Sequence, residues 1–242
     1  MSLIKKGAKI LIFIDTEFTD FIDCELISIA LVSEDGLHEF YAERTDYPDA
    51  WCSDFVREAV LPLLGRIPGV ACTRTELTAR LWAWFATLPG NVQIACDSLH
   101  DRDLLYDALD TGLPGNLDRP IFDLRTLMDA TVFHDSVCRY HEQPRQPWHH
   151  SLHDARAHRA GLLAWKQRSA KITATGTGYR ADLGDSQHIE ADEIRELAGK
   201  LHKAGVSVDS AHCADWREGD IAPGAGAAIA LKVELRKLEG AK

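Results

Sequence analysis

The stretch Ile10-Leu-Ile-Phe-Ile-Asp-Thr-Glu-Phe18 decides the fold of this chain, because an apolar run ends there in two acids. The β-favouring residues over 9–16 are typical of a buried central strand. Asp15 and Glu17 stand two positions apart, so on a strand their carboxylates point to the same side of the sheet. Negative charge at the rim of an apolar core is costly unless a cation compensates. The pair therefore indicates a cation site, and the alternative is a strand that ends in a polar loop.

Two further strands are predicted directly after the first. Residues 25–33 form a second apolar run, the turn signal Glu34-Asp35-Gly36 closes it, and residues 37–43 alternate as a third strand. Later patterns predict one more strand and four helices, at about 91–96 for the strand and about 53–64, 75–88, 98–110 and 152–168 for the helices.

This order of elements predicts an α/β fold: a mixed sheet with three leading antiparallel strands, flanked by helices. Around residue 170 the composition changes. The breaker-rich residues 173–178 precede an acidic amphipathic helix at about 189–204 and a Gly/Ala-rich piece at 222–228. We therefore divide the chain into a domain over 1–170 and a C-terminal extension over 171–242. The extension carries no motif, and substrate contact, formation of a homodimer and cover of a sheet face remain open as its role.

Composition narrows the class of protein. Charged residues make up 26% of the 242 residues, and no apolar run is long enough to predict a membrane span. The six cysteines are scattered without a CxxC pair, which predicts neither a zinc ribbon nor a disulfide framework. We expect a cytoplasmic protein. The net charge of −10 argues against a protein that coats long duplex DNA, but bound cations would still let an enzyme hold a few terminal nucleotides.

Asp101 is the third candidate acid. Leu104, Leu105 and Ala108 follow it by three, four and seven positions, so it shares the apolar stripe of the helix predicted over 98–110. The other acids of this helix fall off that stripe and are expected in solvent. An acid on the buried face of a first turn is either a structural cap or a functional group.

A cluster of histidines opens the last predicted helix of the first domain, in the stretch His149-His-Ser-Leu-His-Asp154. Asp154 is followed at helical spacing by a small-to-apolar face, which predicts that it is buried; the members of that face are His158, Gly161, Leu162 and Trp165. Histidines this dense indicate a functional role for at least one of them.

Together, these motifs resemble the DEDDh family of 3′→5′ exonucleases, and especially a bacterial branch of small exoribonucleases. The resemblance covers about residues 10–168 and runs in order through Phe13-Ile-Asp-Thr-Glu-Phe18, Asp97-Ser-Leu-His-Asp-Arg-Asp-Leu-Leu105 and His149-His-Ser-Leu-His-Asp-Ala-Arg-Ala157. It implies a ribonuclease H-like fold and hydrolysis of 3′-terminal phosphodiester bonds in single-stranded nucleic acid. The preference for RNA over DNA follows from the resemblance alone.

The resemblance also implies a role for each matching residue. Asp15, Glu17, Asp101 and Asp154 match the four metal-binding acids, and His149 matches the general base. Two divalent cations, Mg²⁺ or Mn²⁺, are the implied cofactors, since hard oxygen ligands suit them. Many relatives carry Asn where this chain has Asp97, so Asp97 competes with Asp101 for the middle position, and the helical face favours Asp101.

Thr16 and Phe18, on either side of Glu17, are candidates for substrate contact. The Phe18 ring is either a platform on which a base stacks or a core aromatic. Two other functions stay open: an HD-type metal phosphohydrolase built on His149, His150, His153 and Asp154, and a catalytically inactive nucleic-acid-binding module. HD-type enzymes are all-helical, whereas this chain opens with strands.

Overall fold

The structure is a computed structural model that describes residues 9–128, 131–183 and 187–240. Contacts divide the chain into two compact units, one of residues 1–129 and 135–160 and one of residues 130–134 and 161–242. These units are defined by contacts and not by independent folding, so the predicted domain boundary near residue 171 stays a prediction. Within the described residues, every helix is too short or too polar to cross a bilayer.

The first unit contains a six-stranded mixed sheet in the order β4-β3-β2-β1-β5-β6. The strands are β1 (Ile10–Phe18), β2 (Leu26–Ser33), β3 (Glu39–Arg44), β4 (Ala71–Cys72), β5 (Val92–Cys96) and β6 (Leu117–Asp123). β1, β2 and β3 pair antiparallel, as predicted, whereas β4, β5 and β6 each join parallel to a neighbour. The mixed α/β architecture predicted from the sequence is therefore confirmed.

Helices flank this sheet, at α1 (Arg74–Thr87), α2 (Leu99–Leu109), α3 (Arg125–Met128), α4 (Thr131–His141) and α5 (Ser151–Arg168). Thr73 begins α1 with a reciprocal capping box to Glu76, and the Ser98 side chain accepts the His100 amide at the start of α2. Ile12 and Ile14 of β1 join the apolar core that α1 and α2 cover. By the alternation of a strand, Asp15 and Glu17 project from the opposite face.

The helix predicted over about 53–64 is wrong as a regular α-helix. Its middle is a π-helical turn, Val56–Val60, and a 3₁₀ turn, Leu61–Leu63, follows. Pro62 lacks the N–H that a continuing α-helix needs, so the hydrogen bonding changes there. Val56 and Val60 nevertheless face inward and pack with Ile27 and Cys52.

The second unit has its own four-stranded sheet in the order β10-β7-β8-β9. The elements are β7 (Ala170–Ala174), β8 (Tyr179–Leu183), β9 (Gln187–Ala191), α6 (Ile194–Lys203), β10 (Ala211–Cys213) and α7 (Ala225–Glu239). Of the breaker-rich residues 173–178, the first two end β7 and the other four form the turn to β8, where the Thr175 amide donates to the Gly178 carbonyl at 2.8 Å. The predicted helix over 189–204 begins later than expected, because its first residues belong to β9.

Candidate functional site

The end of β1 carries the first two acids of the site. Asp15 and Glu17 lie opposite Ala30 and Ser28 of β2, and the pairing register shifts immediately after Glu17. Such an irregularity interrupts regular strand pairing and changes the direction of the side chains beside it. Both acids are half-buried, and both are fixed on β1, an interior strand of the sheet, rather than on a loop.

The first turn of α5 brings Asp154 to this pair. Single carboxylate oxygens of Asp15, Glu17 and Asp154 all lie within 4.8 Å of one another. The His150 amide donates to Asp154 Oδ2 at 2.9 Å, which fixes the Asp154 side chain at the start of the helix. These three carboxylates form what we call the carboxylate set, a group of hard oxygen ligands that fits a divalent cation such as Mg²⁺ or Mn²⁺.

Asp101 is buried, as its position on the apolar face of α2 predicts, whereas the remaining acids of that helix are exposed. Its Oδ1 accepts hydrogen bonds from Thr16 Oγ1 at 2.6 Å and from the Thr16 amide at 3.1 Å. Thr16, which the sequence suggested for substrate contact, is itself buried and bonds to an acid of the site. The structure thus joins the start of α2 to the end of β1.

Asp97 and His158 form a second group with Asp15. One ligand atom from each of these three residues lies within 4.8 Å of the other two, and His158 Nε2 is 3.6 Å from Asp97 Oδ2. We call these residues the mixed set. The sequence presented Asp97 only as a rival to Asp101 and His158 only as a member of a buried helix face. The structure places Asp97 beside Asp15 as well.

Burial and mutual repulsion change the protonation of the acids. Burial raises the pKa of Asp15 well above its ordinary value, and the charges of Asp154, Asp101, Glu17 and Asp97 raise it further. Burial, followed by the charges of Asp154 and Asp101, raises the pKa of Glu17 to about 8. Burial likewise raises the pKa of Asp101 to about 7, although the hydrogen bond from the Thr16 hydroxyl acts in the opposite direction. A cation among these acids would compensate the repulsion and replace protons, so the donor set fits a metal ion.

The three clustered histidines have different environments. His150 is buried and stacks on Tyr41 with ring centroids 5.0 Å apart, and burial lowers its pKa. Burial, then the charge of His150, lowers the pKa of His153 to about 4, and its Nδ1 lies 3.2 Å from the Tyr140 hydroxyl. Of these three rings only that of His149 is exposed.

His149 lies in the loop that enters α5 and has a left-handed backbone with φ of 61°. Few residues other than glycine adopt this conformation, and such residues cluster at functional sites. Its ring meets the ring of Phe55 edge-on, with centroids 4.9 Å apart. The side chain is thus presented to solvent directly before the helix that carries Asp154.

His141, at the end of α4, is a member of the site that the sequence did not reveal. Its Nε2 lies 3.1 Å from Asp154 Oδ1, at ion-pair distance but without the direction of a hydrogen bond. Its Nδ1 lies 3.1 Å from the Gln146 carbonyl, which can only accept, so Nδ1 carries hydrogen. This contact holds the ring with Nε2 toward Asp154.

Phe18 lies at the edge of the apolar core with its ring half-buried. It stacks on His100 with centroids 5.8 Å apart and meets Phe21 edge-on at 5.1 Å. Phe21 and Ile22 are 73% and 89% exposed, so the turn after β1 presents apolar surface next to the acids. The structure supports the core-aromatic role, since the ring packs against the apolar core, whereas stacking of a base on Phe18 stays a prediction.

Comparison of the sequence with models of known protein families and with curated proteins finds no match.

Proposed function

We propose that this chain is a metal-dependent 3′→5′ exonuclease with a ribonuclease H-like fold, acting on single-stranded nucleic acid and preferring RNA. The observation that carries the proposal is the carboxylate set, in which oxygens of Asp15, Glu17 and Asp154 lie within 4.8 Å of one another. The resemblance of the three motifs to the DEDDh exonucleases supports the reaction type and the preference for RNA.

The acids of the carboxylate set, together with Asp101, would hold the cations. When bound, two divalent ions would neutralise charge on the phosphate under attack and favour ionisation of the attacking water. The protein supplies positions fixed by secondary structure: two acids on β1, one on α2 and one on α5. Fixed charges cost no rearrangement during the reaction, which is the main source of transition-state stabilisation in such sites.

His149 is the proposed general base. An imidazole nitrogen can take a proton from an attacking water molecule. His150 and His153 are packed against Tyr41 and Tyr140, and burial holds the pKa of each below its ordinary value. His149 is the member of the cluster whose ring is exposed to the solvent from which a substrate would approach.

The apolar turn after β1 suits the terminal base of the substrate. Bases stack on aromatic rings irrespective of sequence, and Phe18 with Phe21 offers two rings beside the acids. The backbone phosphate would then approach the carboxylate set. Bound cations would offset the negative charge of the acids during this approach. The net charge of −10 fits contact with a few terminal nucleotides rather than with a long duplex.

An HD-type phosphohydrolase is less well supported. Its proposed ligands include His150 and His153, whose rings pack against tyrosines, and the acids that come together lie at the end of a central β-strand. A catalytically inactive binding module would not need the buried, mutually repelling acids. Their raised pKa values mean that these acids lower the stability of the metal-free fold as the pH rises.

The direct test is digestion of 3′- and 5′-labelled single-stranded RNA and DNA by the full chain, with Mg²⁺, with Mn²⁺ and with a chelator. We expect cation-dependent shortening from the 3′ end, faster on RNA. The Asp15→Asn variant should be inactive, and Asp103→Asn, an exposed acid of α2, is the matched control. Hydrolysis that persists in Asp15→Asn, or none with either cation, would refute the proposal.

A further inference from the structure

We infer that the mixed set of Asp15, Asp97 and His158 is a second metal-ligand set that binds a first-row transition ion such as Mn²⁺ through an imidazole nitrogen. The inference rests on the proposed function, because Asp15 belongs to both sets. It adds a nitrogen ligand to a centre for which the sequence indicated oxygen ligands alone, and so predicts which cation the centre prefers.

The spacing of the mixed set suits a bridging ion better than direct pairing. His158 Nε2 and Asp97 Oδ2 are 3.6 Å apart, within ion-pair distance but beyond the length of a normal hydrogen bond. Metal–nitrogen and metal–oxygen bonds of about 2.1 Å place two adjacent ligands of one ion roughly 3.0–3.4 Å apart. A small side-chain adjustment would therefore bring both atoms to an ion that Asp15 also reaches, since all three ligand atoms lie within 4.8 Å.

Burial gives His158 a defined orientation. The residue is 7% exposed and lies on α5, four residues after Asp154. Side chains four residues apart lie on the same helix face, so α5 directs Asp154 toward the carboxylate set and His158 toward the mixed set. One face of α5 therefore provides one ligand to each set, and Asp15 on β1 is common to both sets.

The chemistry of the two sets differs. The carboxylate set offers only hard oxygen ligands, which suit Mg²⁺. An imidazole nitrogen is a poor ligand for Mg²⁺ but a good one for transition ions, whose affinity for such sites rises from Mn²⁺ to Cu²⁺. We therefore expect Mn²⁺ to bind more tightly than Mg²⁺, and the excess affinity to depend on His158 and Asp97.

Pulsed electron paramagnetic resonance of Mn²⁺ added to the full chain tests this inference without any activity measurement. A ¹⁴N nucleus bonded to Mn²⁺ modulates the electron spin echo, and ¹⁵N-histidine labelling changes the modulation frequency. We expect ¹⁴N modulation in the unaltered protein, its replacement by the ¹⁵N pattern after labelling, and its loss in His158→Gln. His153→Gln, on the same helix, is the control that should keep the modulation.

The affinity for Mn²⁺, measured by titration of the free-ion signal, gives a second readout. Asp97→Asn should weaken Mn²⁺ binding by at least about tenfold, since loss of a direct ligand charge should cost no less than loss of a group that only orients a ligand, and should leave Mg²⁺ binding nearly unchanged. Bound Mn²⁺ without ¹⁴N modulation, or modulation that survives in folded His158→Gln, would overturn the inference and leave the carboxylate set intact. Mn²⁺ that binds with ¹⁴N modulation to a protein that cleaves no nucleic acid would instead refute the proposed function alone.

Discussion

Thr16 donates two hydrogen bonds to one oxygen of Asp101, from its hydroxyl at 2.6 Å and from its amide at 3.1 Å. This pair connects the first turn of α2 to the last part of β1, where Asp15 and Glu17 are held. The hydrogen bonds also stabilise the ionised form of Asp101 against the burial that raises its pKa to about 7. Thr16 is thus a positioning residue for one acid of the proposed centre.

Thr16→Val should isolate the contribution of the Thr16 hydroxyl to Asp101, because valine keeps the shape of the side chain and the amide hydrogen bond but removes the hydroxyl. We expect the free energy of unfolding to fall by about 1 kcal/mol, since Oδ1 of a buried carboxyl loses one of its two donors from Thr16 and keeps the amide. The pKa of Asp101 should rise, and Mn²⁺ binding at neutral pH should weaken. Chemical denaturation and Mn²⁺ titration measure the two changes. Thr16→Ser keeps the hydroxyl and should retain most of the stability and most of the Mn²⁺ affinity. If Thr16→Val changes neither quantity, the hydroxyl has no positioning role.

Asp15→Asn and Glu17→Gln should each reduce nucleic-acid hydrolysis by about 10²-fold or more, because each removes a ligand charge from the carboxylate set. Both variants should unfold cooperatively, since the substitutions nearly conserve volume. Single-turnover digestion at saturating Mn²⁺ is the measurement, with Asp103→Asn as the control. A variant that keeps more than about a tenth of the original rate would exclude that residue from the proposed centre.

The acids should make the metal-free protein less stable at alkaline pH. Glu17 has an ordinary pKa of 4.5 that is raised to about 8 in the fold, so the folded state holds this proton more tightly than the unfolded state. Its stabilising contribution is complete below pH 4.5 and is lost as the pH rises through about 8.

Glu17→Gln removes this titration and should therefore stabilise the chelator-treated protein above pH 8. Because Glu17 is half-buried, we expect about 1 kcal/mol, which corresponds to roughly 2–4 °C in Tm for a chain of this size. At pH 5.5 the Tm values of the unaltered protein and of the variant should differ little. At pH 8, added Mn²⁺ should make the unaltered protein the more stable of the two. Thermal unfolding at both pH values is the check, and a variant that is less stable at pH 8 without metal would contradict the repulsion among the acids.

His149→Ala should reduce turnover by about 10²–10⁴-fold, the range for loss of a general base, with little change in Mn²⁺ affinity. His153→Gln should cost much less activity. His150→Gln should chiefly lower stability, because it disturbs a buried ring stacked on Tyr41. Steady-state kinetics and Mn²⁺ titration of the three variants decide the assignment. An active His149→Ala protein beside an inactive, folded and metal-binding His153→Gln protein would show that His153 is the base.

The sequence predicts the parts of the fold that depend on local patterns. The apolar run of β1 with its two acids, the turn at Glu34-Asp35-Gly36 and the buried face of Asp101 all arise from residues near one another in the chain. β6 was missed because Leu117–Asp123 contains Pro120 and charged residues, which an edge strand accepts but which give no strand pattern.

The mixed set could not be predicted from spacing, because its members meet only through the tertiary fold. Asp97 follows β5, which lies beside β1, while His158 comes from the middle of α5. Neither residue has a sequence signature of its own. His141 was missed for a related reason, since α4 was not predicted and its last turn is what brings the ring to Asp154.

The left-handed backbone of His149 has a consequence for how its loss is measured. Holding a residue other than glycine at φ of 61° stores on the order of 1–3 kcal/mol in the loop. In His149→Ala the strain remains. In His149→Gly it is relieved, but the unfolded chain gains conformational freedom. In His149→Asn the side chain tolerates the conformation and is a poor base. If all three substitutions produce the same kinetic defect despite their different loop energies, the defect belongs to the imidazole and not to the path of the chain.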